Sequence, residues 1–261
     1  ARRQILLLKE MGCDAIRTSH NFPAPALLDL CDELGIMVMD EAFDEWKTPK
    51  VRNGVASYWN EHEKLLRDFV RRDRNHPSVI IWSMSNEIRE DGFGGSSDGL
   101  TRARCALFRE VMRREDATRP VGNGNIGGMS AEDILAQGIF DDLDVTGWNY
   151  KASYRNPKKR NPHQVIVYSE SASAYSSYGY YPERLPQHIR DFDGNAKQVD
   201  GYDFNAGPSI ADVEFDRMET DAYCCGEFVW TGIDYLGEPS PYAGDGDPLR
   251  DSRSSYFGIC D

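Results

Sequence analysis

The sequence predicts an eight-stranded α/β barrel, (β/α)8, with seven of its strands inside this chain. Its 261 residues suit one barrel of the usual ~250 residues. Short apolar strands follow helices after tight turns, and Gly12 and Gly35 stand where two helices should end. The strands are apolar throughout instead of alternating, which is typical of a parallel sheet buried on both faces. We therefore expect a single domain over residues 1–261.

Helix and strand patterns alternate along the chain. Helical spacing of apolar residues occurs at 3–11, 26–34, 59–72 and 100–111, and Ser130 and Ser209 begin patterns typical of helix N-caps. The strand candidates are 14–18, 36–40, 79–83, 121–124, 143–148, 165–169 and 226–231. The stretch 181–221 is rich in turn residues and should form a long surface excursion.

The barrel is one strand short. The chain opens on a helix, so we expect the first strand to precede Ala1 in a longer polypeptide, because a barrel without it would expose two sheet edges. An open doubly wound sheet is the alternative.

Charge and composition exclude several classes of partner. The net charge of −13 disfavours nucleic acid and anionic membranes, whereas a neutral sugar is compatible with it. No apolar run reaches the ~18 residues of a membrane span. The six cysteines show no CxxC spacing, which excludes that type of zinc site, and a disulfide framework is not expected in a chain this long. The start lacks a signal peptide and an initiator methionine and says nothing about export; a periplasmic or secreted bacterial protein is slightly preferred.

Two strand candidates lead into glutamates. The run 75–87 ends on Asn86 and Glu87, and the strand 165–169 leads into Glu170. The glutamates are 83 positions apart (170 − 87), so they belong to different strands. The carboxyl ends of parallel barrel strands form one rim, where active sites lie. Two carboxylates at that rim are the minimum equipment for hydrolysing a glycosidic bond.

Four segments together resemble glycoside hydrolase family 2, in particular its bacterial β-galactosidase-like members. They are residues 15–20 (AIRTSH), 40–46 (DEAFDEW), 75–87 (NHPSVIIWSMSNE) and 226–232 (GEFVWTG), in family order. The resemblance implies a TIM-barrel catalytic domain and flanking β-sandwich domains, which this chain does not include.

The resemblance also implies roles for the two glutamates and their neighbours. Glu87 is similar to the general acid/base, and Asn86 to the asparagine that holds the sugar 2-hydroxyl. Glu170 is similar to the nucleophile, and Tyr150 to a tyrosine that donates a hydrogen bond to it.

Further predicted substrate-site residues come from the same resemblance. His20 and Trp230 are similar to residues that line the sugar subsite, and Arg17 to an arginine near the nucleophile. Glu41 belongs to an acidic cluster for which we expect a structural or sugar-contacting role.

No metal and no cofactor are expected. Some family members place magnesium at the equivalent of Glu45 and a histidine two residues later, but this chain has Lys47 there, and a charged lysine is not a ligand. The segment 122–127 fits GxGxxG, yet it lacks a good strand before it and a helix after it. The segment 245–247 lacks the later glutamate of a calcium loop and is read as a turn.

The sequence thus predicts a retaining β-glycosidase, with terminal β-D-galactosides as the preferred substrates. The alternatives are a β-glucuronidase or β-mannosidase of the same family, a non-catalytic carbohydrate-binding fragment and, as a third class, a nicotinamide oxidoreductase. The segment 234–242 resembles the galactosidase-like subset, and Asn195-Ala196-Lys197 lies too early for the family's glucuronate motif. A homo-oligomer is compatible with the sequence.

Overall fold

The computed structural model describes residues 1–44, 46, 61–88, 100–126, 130–150, 152–172, 211–233, 235–236, 254–255 and 258–260. Seven helices occur in this part of the chain: α1 Arg2–Glu10, α2 Pro25–Leu34, α3 His62–Asp73, α4 Leu100–Glu115, α5 Ala131–Ala136, α6 Arg155–Arg160 and α7 Ala211–Thr220. The strands are β1 Ala15–Arg17, β2 Met37–Glu41, β3 Val79–Ile88, β4 Val121–Ile126, β5 Thr146–Asn149, β6 Ile166–Ala172 and β7 Cys224–Trp230, with a short antiparallel pair, β8 Tyr235–Leu236 and β9 Ser254–Ser255.

The strands β1 to β7 form one sheet in chain order. The pairs from β1–β2 to β4–β5 are all parallel, which is the arrangement that (β/α) alternation produces. All seven predicted strands are confirmed, and seven strands in this order agree with a (β/α)8 barrel that lacks one strand. The strands β3 and β6 are longer than predicted, so Glu87 and Glu170 lie within strands instead of after them.

The chain divides into two compact units. The first contains residues 1–149 and 153–169, and the second contains residues 150–152 and 170–261. In the first unit, fully buried apolar side chains from α2, β2, α3, β3 and α4 form the core, among them Leu28, Val38, Leu66, Trp82 and Met112. This packing holds the carboxyl ends of β1, β2 and β3 in place, and those ends carry the polar residues of the candidate site.

Local signals explain where the helices begin and end. Pro25 occupies the first turn of α2, and Gly35 ends the helix in a left-handed conformation with φ 69°. The predicted cap at Ser130 is confirmed, since its hydroxyl accepts a hydrogen bond from the Asp133 amide at 3.1 Å. The described start of α3 is His62, and Trp59 lies outside the described residues.

The predicted surface excursion at 181–221 is partly a helix. Residues 181–210 lie outside the described part of the chain, but α7 occupies Ala211–Thr220. The capping pattern at 209–212 had indicated this helix. Among the described helices, none has the length and apolar character needed to cross a membrane.

Candidate active site

Asn86 and Glu87 lie at the carboxyl end of β3. The Glu87 side chain is partly exposed, and its backbone has φ 39°, a left-handed conformation that is strained for a residue with a β-carbon. The Asn149 amide, at the end of β5, donates a hydrogen bond to Glu87 Oε1 at 3.0 Å. Asn149 was not among the site residues predicted from the sequence, although it stands directly before the predicted Tyr150.

The hydrogen bonds of Asn86 define the orientation of its amide. Its Oδ1 accepts from Arg17 Nη2 at 2.7 Å and from Asn149 Nδ2 at 3.2 Å. Its Nδ2 therefore faces the other way, 3.2 Å from Asp44 Oδ1 and 3.3 Å from His20 Nε2. Asn86 is 2% exposed, so a ligand that binds its amide would have to displace or share the hydrogen bonds to Asp44 and His20.

A buried ion pair lies behind Asn86. Arg17 donates to Glu41 through Nε at 2.9 Å and through Nη2 at 3.0 Å, and the two side chains are 3% and 0% exposed. The Ser83 hydroxyl donates to Glu41 Oε2 at 2.7 Å, and His20 Nδ1 lies 2.7 Å from Oε1. Burial alone would raise the pKa of the Glu41 carboxyl, but the Arg17 charge and the bonds from His20 and Ser83 lower it to about 2.

For Glu41 the sequence left a structural role and a sugar-contacting role open. Its carboxylate has no exposed surface, and both oxygens accept hydrogen bonds from protein groups. Glu41 thus holds Arg17 and His20, and these two in turn hold Asn86. The site assignments from the sequence stay predictions.

Gly124 leaves space for Arg17, and Gly147 leaves space for two groups of the neighbouring strands. A β-carbon on Gly124, in β4, would overlap Arg17 Nη2, and one on Gly147, in β5, would overlap the Asn123 carbonyl and the Ser169 hydroxyl. Arg17 Nη1 also donates to the Ser169 carbonyl at 2.8 Å, so one guanidinium links β1, β2, β3 and β6. Residues 122–126, which are most of the GxGxxG match, belong to β4.

The second unit contains the other predicted carboxylate. Glu170 is 4% exposed, and the Tyr150 hydroxyl donates a hydrogen bond to its Oε1. The Tyr150 amide also donates to the Glu170 carbonyl at 2.7 Å, and Tyr150 has a left-handed backbone with φ 58°. Trp230 ends β7 in the same unit and is partly exposed. The predicted contact between Tyr150 and the strand-end glutamate is thus present.

Within the described residues, no three His, Cys, Asp or Glu side chains group in a way that could hold a metal ion. Glu45 and Lys47, the positions at which some family members bind magnesium, lie outside the described residues. The segments 195–197 and 245–247, which were compared with a glucuronate motif and a calcium loop, also lie outside them.

Comparisons with known proteins agree with this fold and these motifs. The family model described as "Glycosyl hydrolases family 2, TIM barrel domain" matches residues 1–249. The β-galactosidase BoGH2A of Bacteroides ovatus is 36% identical over 99% of this chain, which spans 34% of that protein.

Solved structures show the same similarity. A β-glycosidase from Bacteroides vulgatus superposes with a TM-score of 0.71 at 28% identity, covering 100% of this chain and 34% of that one. A β-D-glucuronidase for Dictyoglomus thermophilum gives 0.67 at 22% identity, over 98% of this chain and 43% of that one, which shows a shared fold. The chain thus spans about a third of the length of the curated β-galactosidase. The match of the family model to residues 1–249 and the identity to BoGH2A show that the chain belongs to glycosyl hydrolase family 2 and carries that family's TIM-barrel domain.

Proposed function

We propose that this chain carries the catalytic residues of a retaining β-glycosidase that hydrolyses terminal β-D-galactosides. The observation that carries the proposal is the contrast between two strand-end glutamates. Glu170 is nearly buried and accepts a hydrogen bond from a tyrosine, whereas Glu87 is partly exposed and accepts one from an amide. A double displacement needs such a pair, one carboxylate that attacks and one carboxyl group that exchanges protons.

Glu170 is the nucleophile in this proposal. The hydrogen bond from Tyr150 favours the ionised carboxylate that must attack. An oxygen of Glu170 bonds to the anomeric carbon while the bond from that carbon to the leaving oxygen breaks. The electron pair of the broken bond goes to the leaving oxygen, which takes a proton from Glu87. The product of this step is a covalent glycosyl-enzyme.

Glu87 is the general acid and then the general base. Because Asn149 donates to Oε1, that oxygen is an acceptor, and the transferable proton of the acid form belongs on Oε2. After the aglycone leaves, the ionised Glu87 takes a proton from water. The water oxygen attacks the anomeric carbon, the bond to Glu170 breaks, and the sugar leaves with its original configuration.

Two observations favour galactosides. BoGH2A, a β-galactosidase, is 36% identical over nearly the whole chain, whereas the glucuronidase structure is similar at the level of fold. The net charge of −13 suits a neutral sugar better than an anionic uronate. A β-glucuronidase or β-mannosidase of the same family is the alternative within this reaction, and a non-catalytic carbohydrate-binding protein is the alternative outside it.

Covalent trapping tests the proposal. The natural full-length polypeptide that contains this chain is incubated with the 2-deoxy-2-fluoro glycosyl fluorides of galactose, glucuronic acid and mannose, and its peptides are mapped by mass spectrometry. We expect an adduct on Glu170 from the galactose reagent and none in a Glu170→Gln variant. An adduct from another sugar alone would keep the mechanism and replace the substrate. A folded protein with no adduct and no turnover would refute the enzyme and support the binding protein.

A further inference from the structure

Three buried side-chain oxygens of the second unit form no hydrogen bond with any described residue. They are the two carboxyl oxygens of Glu227, in β7, and the hydroxyl oxygen of Ser171, in β6. The two strands are neighbours in the sheet, and Ser171 has no exposed surface. Because a buried polar group without a partner is costly, something that these oxygens can share has to complete the cluster.

The charges around Glu227 show what is missing. Glu214 and Arg217, in the helix α7 that packs against β7, both act on the Glu227 carboxyl. Glu214 is 1% exposed and accepts a hydrogen bond from Arg217 Nη1 at 2.6 Å, so these two charges cancel. The Ser171 hydroxyl is neutral, and Cys225, two residues before Glu227 in β7, is exposed. An ionised Glu227 would therefore give the cluster a net negative charge, and one proton makes it neutral.

A proton on Glu227 satisfies both requirements. It removes the charge, and it gives the carboxyl group a hydrogen that can be donated to Ser171. Burial raises the pKa of the Glu227 carboxyl from its ordinary 4.5 to about 7, and the Glu214 charge adds to the rise. The Ser171 hydroxyl and the Arg217 charge oppose it. Glu227 thus keeps its proton in weakly acid solution and loses it in alkaline solution.

We propose that the protonated Glu227 is a positioning residue for the nucleophile, because its hydrogen bond to Ser171 fixes the part of β6 that carries Glu170. The inference rests on the proposed function, in which Glu170 attacks the sugar. Glu170 and Ser171 are consecutive in β6, so their side chains leave the strand on opposite faces. The Tyr150 hydroxyl holds Glu170 on one face, and Glu227 holds Ser171 on the other.

Ionisation of Glu227 undoes this arrangement. The Ser171 hydroxyl can then donate to one carboxylate oxygen, but the other oxygen stays buried without a partner, and the new charge faces Glu214. The cost is relieved when β7 moves away from its neighbours, and β6 then loses its support beside Glu170. Attack by Glu170 should therefore weaken in alkaline solution, for a reason separate from the proton that Glu87 supplies.

A substrate that needs no acid catalyst isolates this effect. The pH dependence of kcat/KM for 2,4-dinitrophenyl β-D-galactopyranoside reports the attack of Glu170, because its leaving group departs without a proton. The full-length protein is assayed as Glu87→Ala, so that Glu87 cannot titrate, and with Glu227→Gln, Ser171→Ala or Glu219→Gln added to this change. Glu219 is an exposed glutamate of α7 and serves as the control.

We expect kcat/KM of Glu87→Ala to fall above about pH 7, by up to about tenfold per pH unit, as the protonated fraction of Glu227 falls. Added Glu227→Gln should abolish the fall, since glutamine cannot ionise. Added Ser171→Ala should move the fall to higher pH, because the hydroxyl lowers the pKa of Glu227, whereas a general loss of packing would leave its position unchanged. Added Glu219→Gln should not alter the profile.

An alkaline fall that persists with Glu227→Gln would overturn the inference, because another group would then titrate. A level profile in Glu87→Ala alone would overturn it too. If the Glu227→Gln protein does not fold, Ser171→Ala decides, and an unmoved profile there counts against the inference. The natural protein is first assayed on galactosides, glucuronides and mannosides, and the 2,4-dinitrophenyl glycoside is made from the sugar that it accepts. Absence of turnover on all three would refute the proposed function itself, and the role of Glu227 with it.

Discussion

Replacing Asp40 by asparagine should stabilise the fold at neutral pH, and the gain should shrink as the pH falls towards 4. Asp40 lies in β2 with no exposed surface. Its Oδ1 accepts from the Thr18 hydroxyl at 3.2 Å, while Oδ2 accepts no hydrogen bond from any described residue. Its neighbour Asp73 is a second buried carboxylate, which Arg72 holds with two bonds of 2.6 Å. One proton shared between the two acids would give Oδ2 a partner.

The expected magnitude follows from proton linkage. Burial, and then the negative charge of Asp73, raise the pKa of the Asp40 carboxyl from its ordinary 3.8 to about 8. The folded state therefore holds a proton that the unfolded state releases, so the contribution of Asp40 to stability is fully present below pH 3.8 and is lost as the pH rises towards 8. Each pH unit in this window costs about 1.4 kcal/mol, or at most about 2.7 kcal/mol between pH 5 and pH 7. Asparagine cannot ionise, and its amide can donate to Asp73 permanently.

Urea denaturation at several pH values measures this effect. The difference in the free energy of unfolding between Asp40→Asn and the natural protein should grow steadily from pH 5 to pH 7. Asp29→Asn, at an exposed position of α2, is the control and should show no such growth. A difference that is independent of pH would refute the reasoning, since it would mean that Asp40 carries no extra proton in the folded state.

Three other substitutions test the candidate site. Glu87→Ala should slow hydrolysis of alkyl galactosides by about 10²–10⁴-fold, because their leaving groups need a proton. The leaving group of 2,4-dinitrophenyl galactoside needs none, so this substrate should still form the glycosyl-enzyme, and azide should restore its turnover. Gly124→Ala should push Arg17 aside and lower the free energy of unfolding by about 1–3 kcal/mol in denaturant titrations. Gly226→Ala is the control, because nothing lies within 4 Å of a β-carbon added at Gly226. Glu41→Gln should cost about 3–5 kcal/mol in the same titrations, since it leaves a buried guanidinium without its counter-charge.

Each of these expectations has an outcome that contradicts it. Equal losses on both leaving groups would remove Glu87 from the proton-transfer step. Equal stabilities of the two glycine variants would show that β4 can shift to accommodate a methyl group beside Arg17. A near-neutral Glu41→Gln would mean that Ser83 and His20, and not the charge of Glu41, keep Arg17 in place.

Structural features that depend only on residues close together in the chain could be predicted from the sequence. Apolar strands, glycine stops and the Ser130 cap each depend on a few neighbouring residues, and the structure confirms them. The two strand-end glutamates were found in the same way, because each follows an apolar run. The ends of β3 and β6 were placed too early, because polar residues inside a buried strand look like a strand terminus in the sequence.

Contacts between distant segments could not be predicted. Arg17 and the Ser169 carbonyl are 152 positions apart, and Asn149 lies 62 positions from Glu87. No local pattern indicates that Glu41 is wholly buried and paired with Arg17 and His20, so the sequence left a structural and a sugar-contacting role open. Such partners depend on which strand ends meet, and this is a property of the assembled sheet.

The space that Gly124 leaves for Arg17 has a consequence for how this sequence can diverge. The two positions belong to different strands, but any side chain at 124 would occupy the volume of the guanidinium. A substitution at position 124 thus costs least when the side chain at position 17 is shorter, and Arg17 is in turn fixed by the charge of Glu41. Substitutions at positions 17, 41 and 124 should therefore occur together more often than independently among descendants of this chain, because one buried cation couples the three positions.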